Sequence, residues 1–388
     1  MFIEVFHKHT HCVLSTYGLM ESNKTQVIHP FTILVAIGLV LFFSPFEIVR
    51  EFTTYQPRRH SPQHARRVFS GRYLLTSAIG YGRLSNAKLS VTELLGLSLA
   101  LNRTAVIPPI DACTQTSTDF LSLFDAAALP VAAVPLHAFD FDSACGGSEW
   151  LYVDAGHPVL VEEGSVFRGR LPIRVHSPPA ETLLYGLESA SMAMEYTCIV
   201  LTKHFRAVDW AACGRPEVGA AVHTNLLPQY AIAAEAQSFI ARNNLISRAF
   251  VGVHLRLTDM TAINSSFGRA CNHDAESLLG HVHAALAGAS HGRSRGAIVL
   301  GTDDYEAPCA QALQRAFTQE LFVLLRATNF PRGSCEEALF EQEVLGHADF
   351  FIGDALSTYS LSISNIRQHR MGFSAKTSVL LFGEGGAA

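Results

Sequence analysis

Charge is scarce in this chain. Of its 388 residues only 16 % are Asp, Glu, Lys or Arg, and 34 acidic against 29 basic side chains leave a net charge of −5. Gripping a phosphate backbone requires a basic surface, so no nucleic-acid partner is expected. Eight cysteines occur, but no two form a C-x-x-C pair, the unit of zinc ribbons and dithiol redox sites. Internal repeats and low-complexity tracts are absent too. An apolar, charge-free run near the N-terminus, 31–43, is short. Extended to residue 46 it would span roughly 24 Å as a helix, enough for a thin early-secretory bilayer. No A-x-A-type cleavage site follows it, so a retained anchor is expected rather than a cleaved signal peptide or a buried helix. The flanking charges, Lys24 before and Arg50, Arg58 and Arg59 after, run against a lumenal C-terminus.

What is present is apolar bulk. A hydrophobic content of 48 % over this length is too much for a disordered chain and too long for one core, so two domains are expected. Residues 1–30 read as a tail, 31–46 as the transmembrane anchor and 47–70, with Pro57, Pro62 and five arginines, as a stem. Two Rossmann-like domains then follow, 71–245 and 246–388. In the first, a strand over 72–79, a Gly80-Tyr81-Gly82 turn, a helix carrying Leu84, Leu89, Val91, Leu94, Leu95 and Leu99, and a strand over 104–107 form one α/β unit. The segment 111–226 has no clear periodicity. From residue 249 the alternation is regular. Strands are expected at 250–255, 297–300, 321–325 and 349–352, with helices near 274–287, 307–317, 336–346 and from 358. Two such doubly wound parallel sheets would face a cleft, with ligands at the carboxyl ends of the strands.

Three segments place polar groups at that cleft. His254 and Arg256 lie two residues apart at the end of an apolar strand, on one face, where both could reach one anion. Arg256 can bind a diphosphate in a bidentate manner; pairing with Asp259 is the structural alternative. Ser357 and Thr358 open a helix after a buried strand, a phosphate-binding geometry, although Ser357 serves equally as an N-cap. Gly82-Arg83-Leu84-Ser85-Asn86 opens the first helix, with Arg83 facing the cleft opposite Arg256, or simply forms a tight turn with an Asn cap. Asp303, at the end of another strand, could accept from a guanine edge or cap a helix.

Together these segments resemble the protein O-fucosyltransferase family. Its G-R-F-G-N-Q turn is similar to Gly82-Arg83-Leu84-Ser85-Asn86-Ala87, and its L-N-R-T and Pro-Pro to Leu101-Asn102-Arg103-Thr104 and Pro108-Pro109. Its H-L-R strand is similar to His254-Leu255-Arg256, and its F-I-G-x-x-x-S-T/S-F start to Phe351-Ile352-Gly353 with Ser357-Thr358-Tyr359; Thr302-Asp303 also matches. Order and spacing agree from 71 to 373, but 111–245 gives no match residue by residue.

The resemblance implies a B-type glycosyltransferase fold, GDP-fucose as donor, inversion at the sugar, and a Ser or Thr hydroxyl on a folded protein domain in the endoplasmic reticulum or Golgi lumen as acceptor. It implies that Arg256 and His254 hold the diphosphate and that Ser357, Thr358 and Tyr359 line the nucleotide pocket. Arg83 and Asn86 would meet the fucose. Arg83, His254 and Arg256 are thus the catalytic candidates, and Asn86, Asp303, Ser357, Thr358 and Tyr359 the donor-binding ones. No cofactor or metal is expected, because an arginine and a helix start supply the positive potential. Asp140-Phe141-Asp142 imitates the metal-binding D-x-D, a match that arises often by chance, and a metal site there is the lesser alternative. Ala87 stands where the family has Gln, which opens the way to a glycan acceptor, and a nucleotide-sugar-binding protein without turnover is the remaining alternative. Glu93 is a candidate base by position only; exposure on the helix surface is the better explanation of it. In the lumen all cysteines but Cys12 would be exposed to oxidant, seven in number, with pairing not readable from spacing, and the sequons at Asn102 and Asn264 would be open to glycosylation but that at Asn23 would not.

Overall fold

The computed structural model describes residues 71–76, 84–110, 113, 118–145, 151–154, 173–176, 196–201, 210, 214–257, 275–289, 296–326, 329–355 and 357–381. The expected tail, anchor and stem lie outside these, and among the described residues no helix is long and apolar enough to cross a membrane. Both sheets belong to one compact unit, Phe69–Ala388.

The first half runs β1 (Tyr73–Thr76), α1 (Leu84–Ala100), β2 (Thr104–Ile107), α2 (Phe120–Leu123), β3 (Ala133–Pro135), α3 (Phe141–Cys145), β4 (Leu151–Asp154), β5 (Ile173–His176), β6 (Cys198–Leu201), α4 (Pro216–Asn225) and α5 (Tyr230–Arg242). The second runs β7 (Phe250–Leu255), α6 (Ala275–Ala289), β8 (Ala297–Thr302), α7 (Pro308–Ala316), β9 (Leu321–Leu324), α8 (Cys335–Gly346), β10 (Phe350–Asp354), α9 (Thr358–Asn365), a π-turn over Ile366–Arg370, and β11 (Ser378–Leu381). Six parallel strands make one sheet, in the order β3-β2-β1-β6-β4-β5, and five make the other, β11-β10-β7-β8-β9. This is the α/β, two-sheet architecture expected. Helices cover a parallel sheet on both faces, which is why β2, β6, β7 and β8 are buried at every position.

The strands β3 to β6 and β11 were not anticipated. Each is only three or four residues long, too short for its periodicity to show. Their partners come from elsewhere: β6 adds to β1 from more than 120 positions away, in register Tyr73↔Cys198. Arg103, of the Leu-Asn-Arg-Thr segment, locks that junction. Its guanidinium donates to the carbonyls of Tyr73 at 3.2 Å, Thr197 at 3.1 Å and Tyr196 at 2.8 Å. Arg367 does the same in the second half, fully buried and donating to the carbonyls of Ala348, Asp349 and Thr377.

Helix α1 is central, in contact with β1, β2, α4 and α9. Gly96 lets it close on Trp210, whose ring occupies the place a Cβ would take. Packing on so many sides buries 13 of its 17 residues, Glu93 among them at 2 % exposure. The expectation of an exposed Glu93 is therefore corrected. Its spacing gives a helical position, but no side of this helix faces water.

Two disulfides are defined, Cys145–Cys198 from α3 to β6, and Cys113–Cys335, which ties the loop after β2 to the start of α8 across 222 positions. Cys309 is disulfide-bonded as well. Asn102 sits exposed in a left-handed turn at φ 50°, an accessible place for a sequon.

Candidate active site

The carboxyl ends of β7, β8 and β10 lie side by side, and the polar residues emerging there form the site. His254 is the penultimate residue of β7, paired in register with Gly301 of β8 and buried to 6 % exposure. Its ring stacks on Tyr359 of α9, centroids 4.5 Å apart and planes inclined by 18°. Its Nδ1 lies 2.8 Å from Ser360 Oγ. Burial pushes its pKa down to about 3, the Arg256 charge adds to the effect and Asp303 opposes it. The imidazole is therefore neutral at any physiological pH. Arg256 follows just past the strand, partly buried. Asp303 braces this exit, accepting from the backbone N–H of Leu257 at 2.7 Å.

The β10–α9 connection supplies the other wall. Ser357 occupies the N-cap position of α9, yet its side chain makes no capping bond. Among the described residues its buried hydroxyl has no hydrogen-bond partner, so the capping alternative is not what holds it. The first amides of a helix lack intrahelical acceptors, and together with this hydroxyl they form a donor-rich corner suited to an anion. Thr358 donates to Asn86 Oδ1 at 2.5 Å, joining the first turn of α9 to the first turn of α1. Tyr359 directs its hydroxyl toward the Ala338 carbonyl and Glu341 Oε2, each 2.9 Å away, with its single proton going to one of the two. Burial raises the Glu341 pKa to about 8, with the Tyr359 hydrogen bond pulling it back and the charges of Glu337 and Asp303 adding to it.

Of the expected site residues, His254, Asp303, Ser357, Thr358 and Tyr359 gather at this strand end with Arg256, and Asn86 meets them from α1. Arg83 and Asp259 lie outside the described residues, as does Asn264. Asp140 is exposed and accepts from the Ser143 amide at 3.1 Å, the geometry of a helix start. Among the described residues no group of three or more metal-ligating side chains is found.

Sequence reasoning missed Ser360 and Glu341, which hold His254 and Tyr359. It also missed a polar junction beside the site. Lys88 donates to Gln342 Oε1 at 2.9 Å and Gln342 donates to Ser85 Oγ at 3.1 Å, while Arg370 grips both oxygens of Glu343. The polar run Glu341-Gln342-Glu343, between apolar Leu339-Phe340 and Val344-Leu345, is the signal in the sequence that hinted at it.

No family profile and no curated protein sequence matches the chain. Solved structures do. POFUT1 in complex with GDP superposes with a TM-score of 0.53 over 81 % of this chain and 99 % of that one, at 16 % identity. POFUT1 in complex with GDP-fucose gives 0.52 over 81 % and 99 %, again at 16 % identity. This chain has the O-fucosyltransferase fold. NodZ α-1,6-fucosyltransferase soaked with GDP-fucose also superposes, with a TM-score of 0.50 over 76 % of this chain and 92 % of that one, at 15 % identity. In this O-fucosyltransferase fold the corner built by His254, Ser357 and Thr358 sits at the strand ends where parallel α/β sheets bind ligands.

Proposed function

We propose that the protein moves fucose from GDP-fucose, with inversion, to a Ser or Thr hydroxyl of a folded protein domain, without a metal. The observation that carries this reading is the corner at the start of α9. There a Ser357 hydroxyl, buried and without a hydrogen-bond partner among the described residues, opens the helix whose Tyr359 and Ser360 hold a neutral His254, and the Arg256 charge reaches that imidazole. Such a corner favours the anion that appears when a nucleoside diphosphate leaves. In the reaction the acceptor oxygen forms a new bond to the anomeric carbon on the face opposite the departing GDP. The bond to the diphosphate breaks with its electron pair, and the acceptor proton passes to a base. Catalysis then rests on interactions that strengthen as the leaving group gains charge, which is the part Arg256 and His254 play.

The Cys145–Cys198 and Cys113–Cys335 disulfides and the bonded Cys309 favour an oxidising compartment, and in this reading the catalytic part works in the lumen of the endoplasmic reticulum or Golgi. A glycan acceptor is the second reading. Ala87, buried to 1 % exposure, offers no polar group where the resembling family has Gln, and the fold is shared with an α-1,6-fucosyltransferase.

The full chain is incubated with a panel of GDP- and UDP-sugars, and slow hydrolysis of each is measured with and without EDTA. Hydrolysis of GDP-fucose that persists in EDTA is the expected result. Binding without hydrolysis or transfer overturns the enzymatic reading. Loss in EDTA with rescue by Mn²⁺ overturns the metal-free one and brings Asp140 and Asp142 into question. Transfer from labelled GDP-fucose to folded domains or to free glycans separates the two acceptors.

A further inference from the structure

His254 must present the correct nitrogen to a diphosphate, whose oxygens only accept hydrogen bonds. A neutral imidazole carries one N–H and one bare lone pair, so its tautomer decides whether it attracts or repels such a ligand. The structure holds a device that decides it.

Ser360 Oγ, on a fully buried residue of α9, has two hydrogen-bond contacts among the described residues. It accepts from the Asp354 backbone N–H at 3.0 Å and lies 2.8 Å from His254 Nδ1. A hydroxyl has one proton and two lone pairs, and the amide, which can only donate, takes one lone pair. If Nδ1 carried the proton it would take the other. The serine proton would then be buried with no acceptor among the described residues, at a cost of about 1–3 kcal/mol. With the proton of Ser360 directed at Nδ1 instead, every group is satisfied. Among the described residues Tyr359, the ring's stacking neighbour, does not compete: it contributes its face, and its hydroxyl is turned to Ala338 and Glu341.

The backbone is shaped around this serine. A Cβ on Gly353 would come within 2.7 Å of Ser360 Cβ and 2.8 Å of its Oγ. The glycine of Phe351-Ile352-Gly353 thus makes room for Ser360 against β10, where its oxygen meets both the Asp354 amide and the histidine.

We infer that Ser360 is a positioning residue that fixes His254 as the Nε2–H tautomer, a neutral hydrogen-bond donor to the diphosphate of the sugar nucleotide. The inference rests on the proposed function for its ligand, but not for its test. The full chain is labelled with ¹⁵N-histidine, and the His254 signals, assigned by their loss in His254→Gln, are read without substrate. A pyrrole-type Nε2 and a pyridine-type Nδ1 are expected. Ser360→Ala should convert these to averaged signals and lower kcat at least about tenfold, with a smaller change in donor KM. Ser360→Cys, close in size and with a weak donor, should recover part of both. A pyrrole-type Nδ1 in the parent protein overturns the inference, and so does a Ser360→Ala protein whose tautomer and rate are unchanged. If the parent spectrum is as expected but no GDP-sugar is turned over, the tautomer stands and the proposed function falls.

Discussion

Replacing Lys88 by Met tests the polar junction between α1 and α8 through its pH dependence. Lys88 is buried to 6 % exposure, and its ammonium shares the junction with a second cation, Arg370, which already engages the single carboxylate, Glu343. Burial lowers its pKa from 10.5 to about 7; Glu343 opposes the shift and Arg370 adds to it. Between pH 7 and 10.5 the unfolded chain therefore holds a proton that the folded chain has released. Stability rises with pH across that window, by up to about 1.4 kcal/mol per unit. Between pH 7 and 9.5 the integrated gain from this one group is roughly 3 kcal/mol. Met keeps the length of the chain and cannot titrate. The loss of the bond to Gln342 costs on the order of 1–3 kcal/mol at every pH and so drops out of the slope. Urea unfolding of both proteins from pH 6 to 9.5 gives the difference directly. The parent should gain about 3 kcal/mol on the variant over the range. A difference constant to within about 0.5 kcal/mol would show that Lys88 is not charged at the cost of burial, and the reasoning fails.

Arg256→Lys keeps the charge but not the paired N–H donors, so kcat should fall on the order of 100- to 1,000-fold with less effect on donor KM. A rate within about threefold of the parent in steady-state assays would reduce Arg256 to a structural role. Glu341, whose folded pKa is raised from 4.5 to about 8, holds a proton that the unfolded chain releases, so its stabilisation is complete below pH 4.5 and is lost as pH rises to 8. Glu341→Gln should thus gain on the parent in unfolding free energy from pH 5 to 8, and a gap independent of pH counts against it. Asn86→Ala removes the acceptor of the Thr358 hydroxyl, which joins α1 to α9; about 1 kcal/mol of stability should go, and donor KM, measured by titrating GDP-fucose, should rise.

Much of the architecture was legible because its signals are local. Long apolar strands such as Phe250–Leu255 and Ala297–Thr302, separated by helical spacing and turn residues, declare parallel α/β structure without reference to anything distant. The polar residues at their ends, His254, Arg256, Asp303, Ser357 and Thr358, stood out for the same reason: they interrupt an apolar pattern. The five short strands did not, since a stretch such as Ala133–Pro135 becomes a strand only through its neighbour β2. Glu93 was misread because charge in a helix ordinarily marks the solvent side, and the burial of α1 depends on what packs around it. Ser360 pairs with His254 across 106 positions and Lys88 with Gln342 across 254. Local pattern therefore determined the elements and the place of the site. The tertiary structure alone decided which buried polar groups meet, because a hydrogen bond inside the core depends on positions in space that separation along the chain does not encode.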